Sequence, residues 1–318
     1  MRQLAVALAL FWVVLSLTFF LIRAAPGDPA SFLAPPAASA SELARLRASL
    51  DLDAPIAVQY GRWARDVFKG DLGTSFVAHL PVTTVLGDAV PISLALGGIS
   101  LLLTFIIGVA VGSVQGAHRG RPLDSALTFV TTTIYAAPSF WLALALIALC
   151  TYGAAQLGLP QWLRLPAFGV RDPAGSSGFG ELARHAILPV LTLTLVGAAG
   201  IARYARSAVV ELLQMQWVRT AIAKGAPARV VHARHVLANA LPTFVVLFAL
   251  ALPGVVAGSV FVETVFGWPG VGRLMVSSIF ARDYPVVVGA TVVYAAMVIL
   301  ANLAADLTLP LVDPRRRR

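Results

Sequence analysis

The stretch RTAIAKGAPARVVHARHVLANALP, from Arg219 to Pro242, is basic and helix-favouring, with Gly225 and Pro227 near its middle. On both sides of it the chain is apolar enough to sit in lipid. The 318 residues are 58% hydrophobic and 12% charged. An ordinary globular domain is roughly 45–50% apolar and about 25% charged, so the composition is that of a polytopic membrane protein. The net charge of +9 lies in short segments between apolar runs rather than on one soluble face, which argues against nucleic acid as partner. The lone cysteine, Cys150, permits no disulfide within the chain.

About 20 mostly apolar residues are needed to cross the hydrocarbon core as a helix. Six runs qualify: Leu4–Ile22, Ile92–Val114, Ala126–Tyr152, Ala186–Ala202, Leu241–Val262 and Val286–Leu309. The first, 19 residues long, exceeds a signal-peptide core and reads as an uncleaved anchor. The fold class expected is therefore all-α and polytopic. A long outer loop follows the first helix, and a cytoplasmic loop joins the fourth to the fifth. Residues 1–91 form one unit (first helix and outer loop), and residues 92–318 a core of five helices. With the N-terminus inside, the inner segments carry 13 of the 24 basic residues, including Arg315 to Arg318 directly after the last span, and 11 of the 15 acidic residues fall outside. Both termini are expected in the cytoplasm.

Asp306, about one turn from the inner end of the sixth span, is the one charge within the spans. A proton- or sodium-coupled transporter needs coordinating groups near the midplane, so a secondary transporter or a stand-alone channel is the weaker reading. An intramembrane enzyme has no catalytic group but Asp306 to draw on. No P-loop exists, because Phe68 and Ala223 precede the two lysines, Lys69 and Lys224. Asp51/Asp53 and His232/His235 could each hold a metal, but neither pair has a further ligand near it in sequence, and no metal site is expected. Gly97-Gly98, Gly108, Gly112, Gly197, Gly200 and the GVVAG run Gly254 to Gly258 allow close helix approach. Pro138 and Pro253 are expected to kink their helices.

In the outer loop, Ile56, Tyr60, Trp63 and Val67 recur at helical spacing. This predicts a helix lying along the membrane, with Tyr60 and Trp63 at the interface and Asp53 as a cap. Between Glu263 and Tyr284, GWPGVG reads as a turn and RLMVSSIFARDY as an amphipathic surface or re-entrant helix. In the opening stretch, Gly225 suits the left-handed end of one helix and Pro227 the first turn of another, Ala228–Ala238. Pro242 falls in the first turn of the fifth span. Two short helices meeting at a Gly-Ala-Pro corner, tied to spans at both ends, suit transmission of a push from a soluble partner.

The segment QWVRTAIAKGAPARVVHARHVLANALP resembles the cytoplasmic coupling loop, or EAA motif, of bacterial ATP-binding-cassette importer permeases. RAAPGDPA (Arg23–Ala30), LDLDAPIAVQYGRW (Leu50–Trp63), GDLGTSF (Gly70–Phe76), PSFWLALAL (Pro138–Leu146), VETVFGWPGVGRL (Val262–Leu274), ARDYPVV (Ala281–Val287) and DPRRR (Asp313–Arg317) resemble the dipeptide, oligopeptide and nickel branch of that family. The chain departs from the coupling pattern at Gln216, where an acidic residue is usual, at Ala226, where leucine is usual, and at Pro227. The resemblance implies a bacterial inner-membrane permease subunit working with a second homologous permease, two ATPase subunits and an external solute-binding protein. The chain itself is then not an enzyme and binds no cofactor, because ATP and magnesium sit on the partner ATPases. Peptide is the implied cargo, with nickel or another small solute as the alternative. The residues implied in ATPase coupling are Arg219, Thr220, Ala221, Lys224, Gly225, Ala226, Pro227, Arg229 and Val230. Arg203, Arg206 and Arg234 are further candidates to meet acidic ATPase surface. Pro138, Ser139, Phe140, Trp141, Glu263, Trp268, Pro269 and Gly270 are implied in the pathway or its outer gate.

Overall fold

A computed structural model describes residues 2–24, 30, 38–49, 52–160, 163–172, 178–254 and 259–312. The side chain of Asp306, the tail Arg315 to Arg318, Asp51 and most of the GVVAG run lie outside the described residues. The described residues are almost entirely helical: α1 Arg2–Ala24, α2 Ala40–Ser49, α3 Ile56–Phe68, α4 Val82–Ala117, α5 Pro122–Ala136, α6 Ser139–Gln156, α7 Phe179–Leu213, α8 Gln216–Ala223, α9 Ala228–Ala251, α10 Val260–Phe266, α11 Val271–Phe280 and α12 Tyr284–Val312. Among them, α1, α4, α6, α7, α9 and α12 are long and apolar enough to cross a membrane.

Six spans are found where six apolar runs are read, but their boundaries move; the second run, Ile92–Val114, lies inside the longer helix α4. The run Ala126–Tyr152 is two helices, because Ala137 (ψ 132°) and Pro138 (ψ 138°) are both extended and separate α5 from α6. A proline disfavours the helical region for the residue before it, so Pro138 ends one helix and begins the next instead of kinking one. The fifth helix begins at Ala228 and stops at Ala251, short of Pro253. Residues 228–238 are therefore the first turns of that span, with a π-helical segment Val231–Leu237, and Pro242 lies in its interior. The helix α7 has 35 residues where the apolar run has 17. Its charged ends (Glu181 and Arg184, then Arg203 and Arg206) continue the helix beyond the stretch that hydropathy detects.

The bundle is organised around α4 and α7. At ~1.5 Å per residue each exceeds 50 Å in length, well beyond the roughly 30 Å hydrocarbon core. Lipid supplies no hydrophobic drive for helix association, so contact must come from close packing. Three glycines one turn apart on α4 provide it. A Cβ on Gly108 would lie 2.7 Å from Ile201 Cβ and 2.9 Å from the Ala198 carbonyl oxygen. On Gly112 it would lie 2.7 Å from Ala205 Cβ and 2.9 Å from Arg206 N, and on Gly116 2.7 Å from Val209 Cγ1. Gly197 reciprocates on α7, where a Cβ would meet Thr104 Oγ1 at 2.7 Å.

The outer-loop helix α3 differs from expectation in placement. It runs back along α1 through aromatic contacts: Tyr60 edge-on to Phe19 and stacked on Phe20, Trp63 tilted against Phe19 and stacked on Trp12, and Phe68 stacked on Trp12 at 4.6 Å. The Tyr60 and Ser16 hydroxyls are 2.7 Å apart. Tyr60 and Trp63 thus pack on the first span. Asp53 does not cap α3. Pro55 occupies the cap position, and Asp53 pairs with Arg47 at 3.3 Å on the exposed surface.

Alanine at two glycines of α4 should act in opposite directions. Gly112→Ala forces α4 and α7 apart and should lower stability by about 1–3 kcal/mol, the usual cost of overpacking. Gly98→Ala meets nothing within 4 Å and should be neutral or stabilising by up to ~1 kcal/mol through helix propensity. Thermal unfolding of the detergent-solubilised chain, followed by tryptophan fluorescence, checks both; equal effects would refute the packing assignment.

Candidate functional site

Two polar constructions lie at opposite ends of the α4–α7 pair. The first is the corner between α7 and α9. Helix α8 ends in a glycine turn: Gly225 takes φ +79°, its N–H donates to Ile222 O (2.9 Å), and Ala226 N–H donates to Ala221 O (3.1 Å). This paired arrangement closes a helix through a left-handed residue, for which glycine is the undemanding choice. Pro227, extended at ψ 146°, then caps α9. Beneath the corner, Val218, Val231 and Val236 are buried against Val209 of α7. The corner is thereby packed onto the fourth span and continuous with the fifth.

Its outer surface is open. Arg219, Thr220, Lys224, Gly225, Pro227 and Arg229 are exposed, and Ala221, Ala226 and Val230 are half-buried. Trp217 and Ile222 are 41% and 54% exposed beside these cations. The result is a basic surface with an apolar centre. Two arginines offered by the sequence as candidates to meet an acidic partner surface are engaged within the fold. Arg206 grips Asp124 with two bonds of 2.8 Å, and Arg203 lies over the Tyr135 ring at 4.9 Å. Asp124 also accepts Gly120 N–H at 3.0 Å and the Thr128 hydroxyl at 3.3 Å. The guanidinium of Arg206 holds this carboxyl well below the usual carboxylate range. Gln115 of α4 donates to Thr128 at 3.2 Å, so α4, α5 and α7 are fastened together just behind the corner.

The second construction surrounds Glu263. Its carboxylate is fully buried and sits at the N-terminus of α11. One oxygen accepts Gly272 N–H (2.8 Å) and Arg273 N–H (3.1 Å), and the other accepts the Ser93 hydroxyl of α4 (2.7 Å). Ser93 Oγ in turn accepts Val271 N–H at 2.8 Å. The first three amides of α11, which no helix can satisfy internally, therefore all have partners, and a negative charge faces the positive end of the helix. Glycine is needed here for room: a Cβ on Gly272 would lie 2.6 Å from Val260 Cα, and one on Gly270 2.5 Å from Glu263 Cδ. The GWPGVG run is thus a turn folded around a carboxylate, and RLMVSSIFARDY forms α11.

Trp268 is buried beside this bracket. The Pro138–Trp141 segment does not join it. Pro138 caps α6, whose Ala143 and Ile147 pack on Leu188, Val262 and Phe266, while Phe140 and Trp141 stay half-exposed. Nearby, buried Asp283 accepts the Ser75 hydroxyl, Phe76 N–H (3.0 Å) and Val77 N–H (3.2 Å), which ties ARDYPVV to GDLGTSF. Sequence reading missed the partners of Glu263, Asp283 and Asp124 because each lies far away along the chain. A lone acid flanked by glycines before an amphipathic helix was the available cue for Glu263.

Residues 105–318 match the family profile described as binding-protein-dependent transport system inner membrane component, and residues 1–97 match its N-terminal counterpart. The chain is 34% identical over 315 residues to the oligopeptide transport system permease protein AppB of Bacillus subtilis, covering 99% of this chain and 97% of that one. It is 38% identical over 312 residues to the probable D,D-dipeptide transport system permease protein DdpB of Escherichia coli, covering 94% and 91%. Among solved structures, inward-facing forms of the MetNI methionine ABC transporter share the fold, with TM-score 0.55 and 20% identity over 73% of this chain and 97% of that one.

Removing the Glu263 carboxylate should be costly because it leaves buried amides bare. Glu263→Ala is expected to destabilise by about 1–3 kcal/mol for each orphaned donor, whereas Glu263→Gln keeps a carbonyl oxygen for Gly272 and Arg273 and should lose much less. Thermal unfolding of the two variants decides; equal losses would show that charge, not hydrogen bonding, dominates at this position.

Proposed function

This chain belongs to the family of binding-protein-dependent transport system inner membrane components, and we propose that it is the permease through which an ATP-driven importer takes up di- or oligopeptides. As a member of that family it is a transport subunit with multiple membrane spans, not an enzyme. ATPase and binding-protein partners follow from the family. Our reading adds a second homologous permease beside this chain and two ATPase subunits that carry ATP and magnesium. Residues 1–91 act as one unit, the first membrane helix with its outer loop, and residues 92–318 as the permease core, a functional division, since α4 runs unbroken across it. Both termini and the corner face the cytoplasm, and the Glu263 bracket lies toward the outside. Peptide rather than nickel or another small solute is favoured by the names of the relatives that match over nearly the whole chain.

The observation that carries this reading is the corner. A soluble motor can act on a membrane helix only through a rigid part exposed to it. Here Arg219, Thr220, Ala221, Lys224, Gly225, Ala226, Pro227, Arg229 and Val230 form a surface with apolar Ile222 at its centre, and Val218, Val231 and Val236 lock the underside to α7. A groove on an ATPase that closes on ATP would move the corner, and α7 and α9 would move with it as levers. Arg203 and Arg206 drop out of the contact surface because they serve the fold. The pathway residues Pro138, Ser139, Phe140, Trp141, Glu263, Trp268, Pro269 and Gly270 divide in role. Exposed Phe140 and Trp141 are proposed to face the pathway or the second permease, and Glu263, Trp268, Pro269 and Gly270 to hold the outer gate in shape.

Gly225→Val tests the coupling assignment. A side chain there meets nothing within 4 Å, so its effect acts through the φ of +79°, which a β-branched residue tolerates poorly. Uptake should fall and transport should no longer track ATP hydrolysis, while the membrane level of the chain stays near wild type. Wild-type uptake together with wild-type stimulated ATPase activity in the assembled transporter would overturn it. Gly225→Ala should fall between, with a backbone cost of about 1 kcal/mol.

A further inference from the structure

Where the segment after α6 meets the start of α7, three metal-ligating side chains from two elements converge. Gly169 anchors the segment: its N–H donates to Phe266 O at 2.8 Å, and its carbonyl lies 3.0 Å from His185 Nδ1. A carbonyl only accepts, so Nδ1 carries the hydrogen of that bond. The imidazole is 3% exposed. Its other nitrogen, Nε2, is buried and has no hydrogen-bond partner. It faces two carboxylates, with Asp172 Oδ1 and Glu181 Oε1 each 3.7 Å away.

In the neutral tautomer fixed by Gly169, Nε2 presents a lone pair. Three electron-rich atoms then point at one another. An imidazolium is the other way to relieve this. But an N–H donating to a carboxylate closes to about 2.7–2.9 Å, and neither separation here does so. The distances suit an ion in the middle. Bonds of about 2.0–2.2 Å around a tetrahedral zinc place its ligand atoms roughly 3.3–3.6 Å apart, close to the 3.7 Å observed, and all three donor atoms lie within 4.8 Å of one another.

The surroundings are those of a built ligand set. Glu181 and His185 are four residues apart on α7, so one helix face presents both. The Gly169 carbonyl orients the ring, as the outer partner of a metal-bound histidine does. Glu181 also accepts Asp172 N–H at 3.0 Å, which holds the loop ligand in register. The Asp172 side chain is 61% exposed, which leaves a fourth position open to solvent.

We propose that Asp172, Glu181 and His185 bind one divalent transition-metal ion of the zinc class. The ion pins residues 163–172 to the start of α7, and through the Gly169–Phe266 bond it braces the end of α10 that carries Glu263. The site does not depend on the identity of the cargo. It also departs from the sequence reading, which expected no metal. The acids and histidines considered there were pairs two and three residues apart, whereas these ligands are nine and four residues apart and Asp172 comes from a loop.

The experiment uses the full chain co-purified with its partner permease through a tag without histidine and stripped by chelator. Cobalt(II) is titrated in as a visible probe and zinc then displaces it. One equivalent per chain is expected, with the intense visible bands of a tetrahedral cobalt site and loss of those bands on adding zinc. Asp172→Asn and Glu181→Gln, which leave the His185–Gly169 bond untouched, should each weaken binding about tenfold or more, and His185→Gln should abolish it. No stoichiometric binding overturns the proposal. Binding that survives in both Asp172→Asn and His185→Gln, or that is lost only with His232→Gln, overturns it as well.

Discussion

The close approach of α4 and α7 is the constraint on which the remaining structure depends. Apolar helices gain little from one another in lipid, so two long spans stay in fixed register only where their backbones nearly touch. Gly108, Gly112 and Gly116 on one side, and Ala198, Ala202 and Ala205 on the other, provide that contact along about two turns. The Glu263 bracket, the Arg206–Asp124 pair and the corner all hang from this pair. At one end α4 contributes Ser93 to the Glu263 bracket and α7 contributes Glu181 and His185. At the other, α4 contributes Gln115 and α7 contributes Arg206 and Val209, behind the corner. A shift of one helix along the other by a single turn would disturb both ends together. That is the mechanical property an importer needs from its permease.

The two ends are built on different principles. The corner exposes the residues proposed to couple and packs on buried valines beneath, so it presents a firm open surface. The bracket does the reverse. Glu263, Asp283 and Ser93 are buried and saturated with hydrogen bonds, and they set the shape of the segment from α10 to α12. Buried charge in such a place is stable only when each oxygen is used, and for Glu263 and Asp283 each oxygen is. We read the bracket as a shape-holding device for the outer gate, and the corner as the input that moves the helices behind it.

Much of this was legible in the sequence, for identifiable reasons. Hydropathy found six spans because a helix in lipid must be apolar all round. The corner was readable because Gly225 and Pro227 enforce local geometry wherever they occur. The limits are equally physical. Apolarity measures the part of a helix in lipid, so it missed the charged extensions of α7 and the early start of the fifth helix at Ala228. It fused α5 and α6 because both are apolar and only backbone dihedrals at Ala137 and Pro138 separate them. Tyr60 and Trp63 carried the right helical spacing, but which surface they cover was decided by Trp12, Phe19 and Phe20 on another helix. Polar partners were least legible: Glu263 finds Ser93 across 170 residues and Asp283 finds Ser75 across 208.

The central claim is that this chain works as the membrane half of an ATP-driven importer, moved through its corner by a partner. The most direct measurement is gentle purification of the tagged chain from its native membranes, followed by mass spectrometry of what accompanies it. The account expects a second six-span permease, P-loop ATPases and a secreted solute-binding protein, whose ligand can then be screened starting with di- and oligopeptides. A homo-oligomer free of any ATPase would contradict it and return the chain to the channels or secondary transporters.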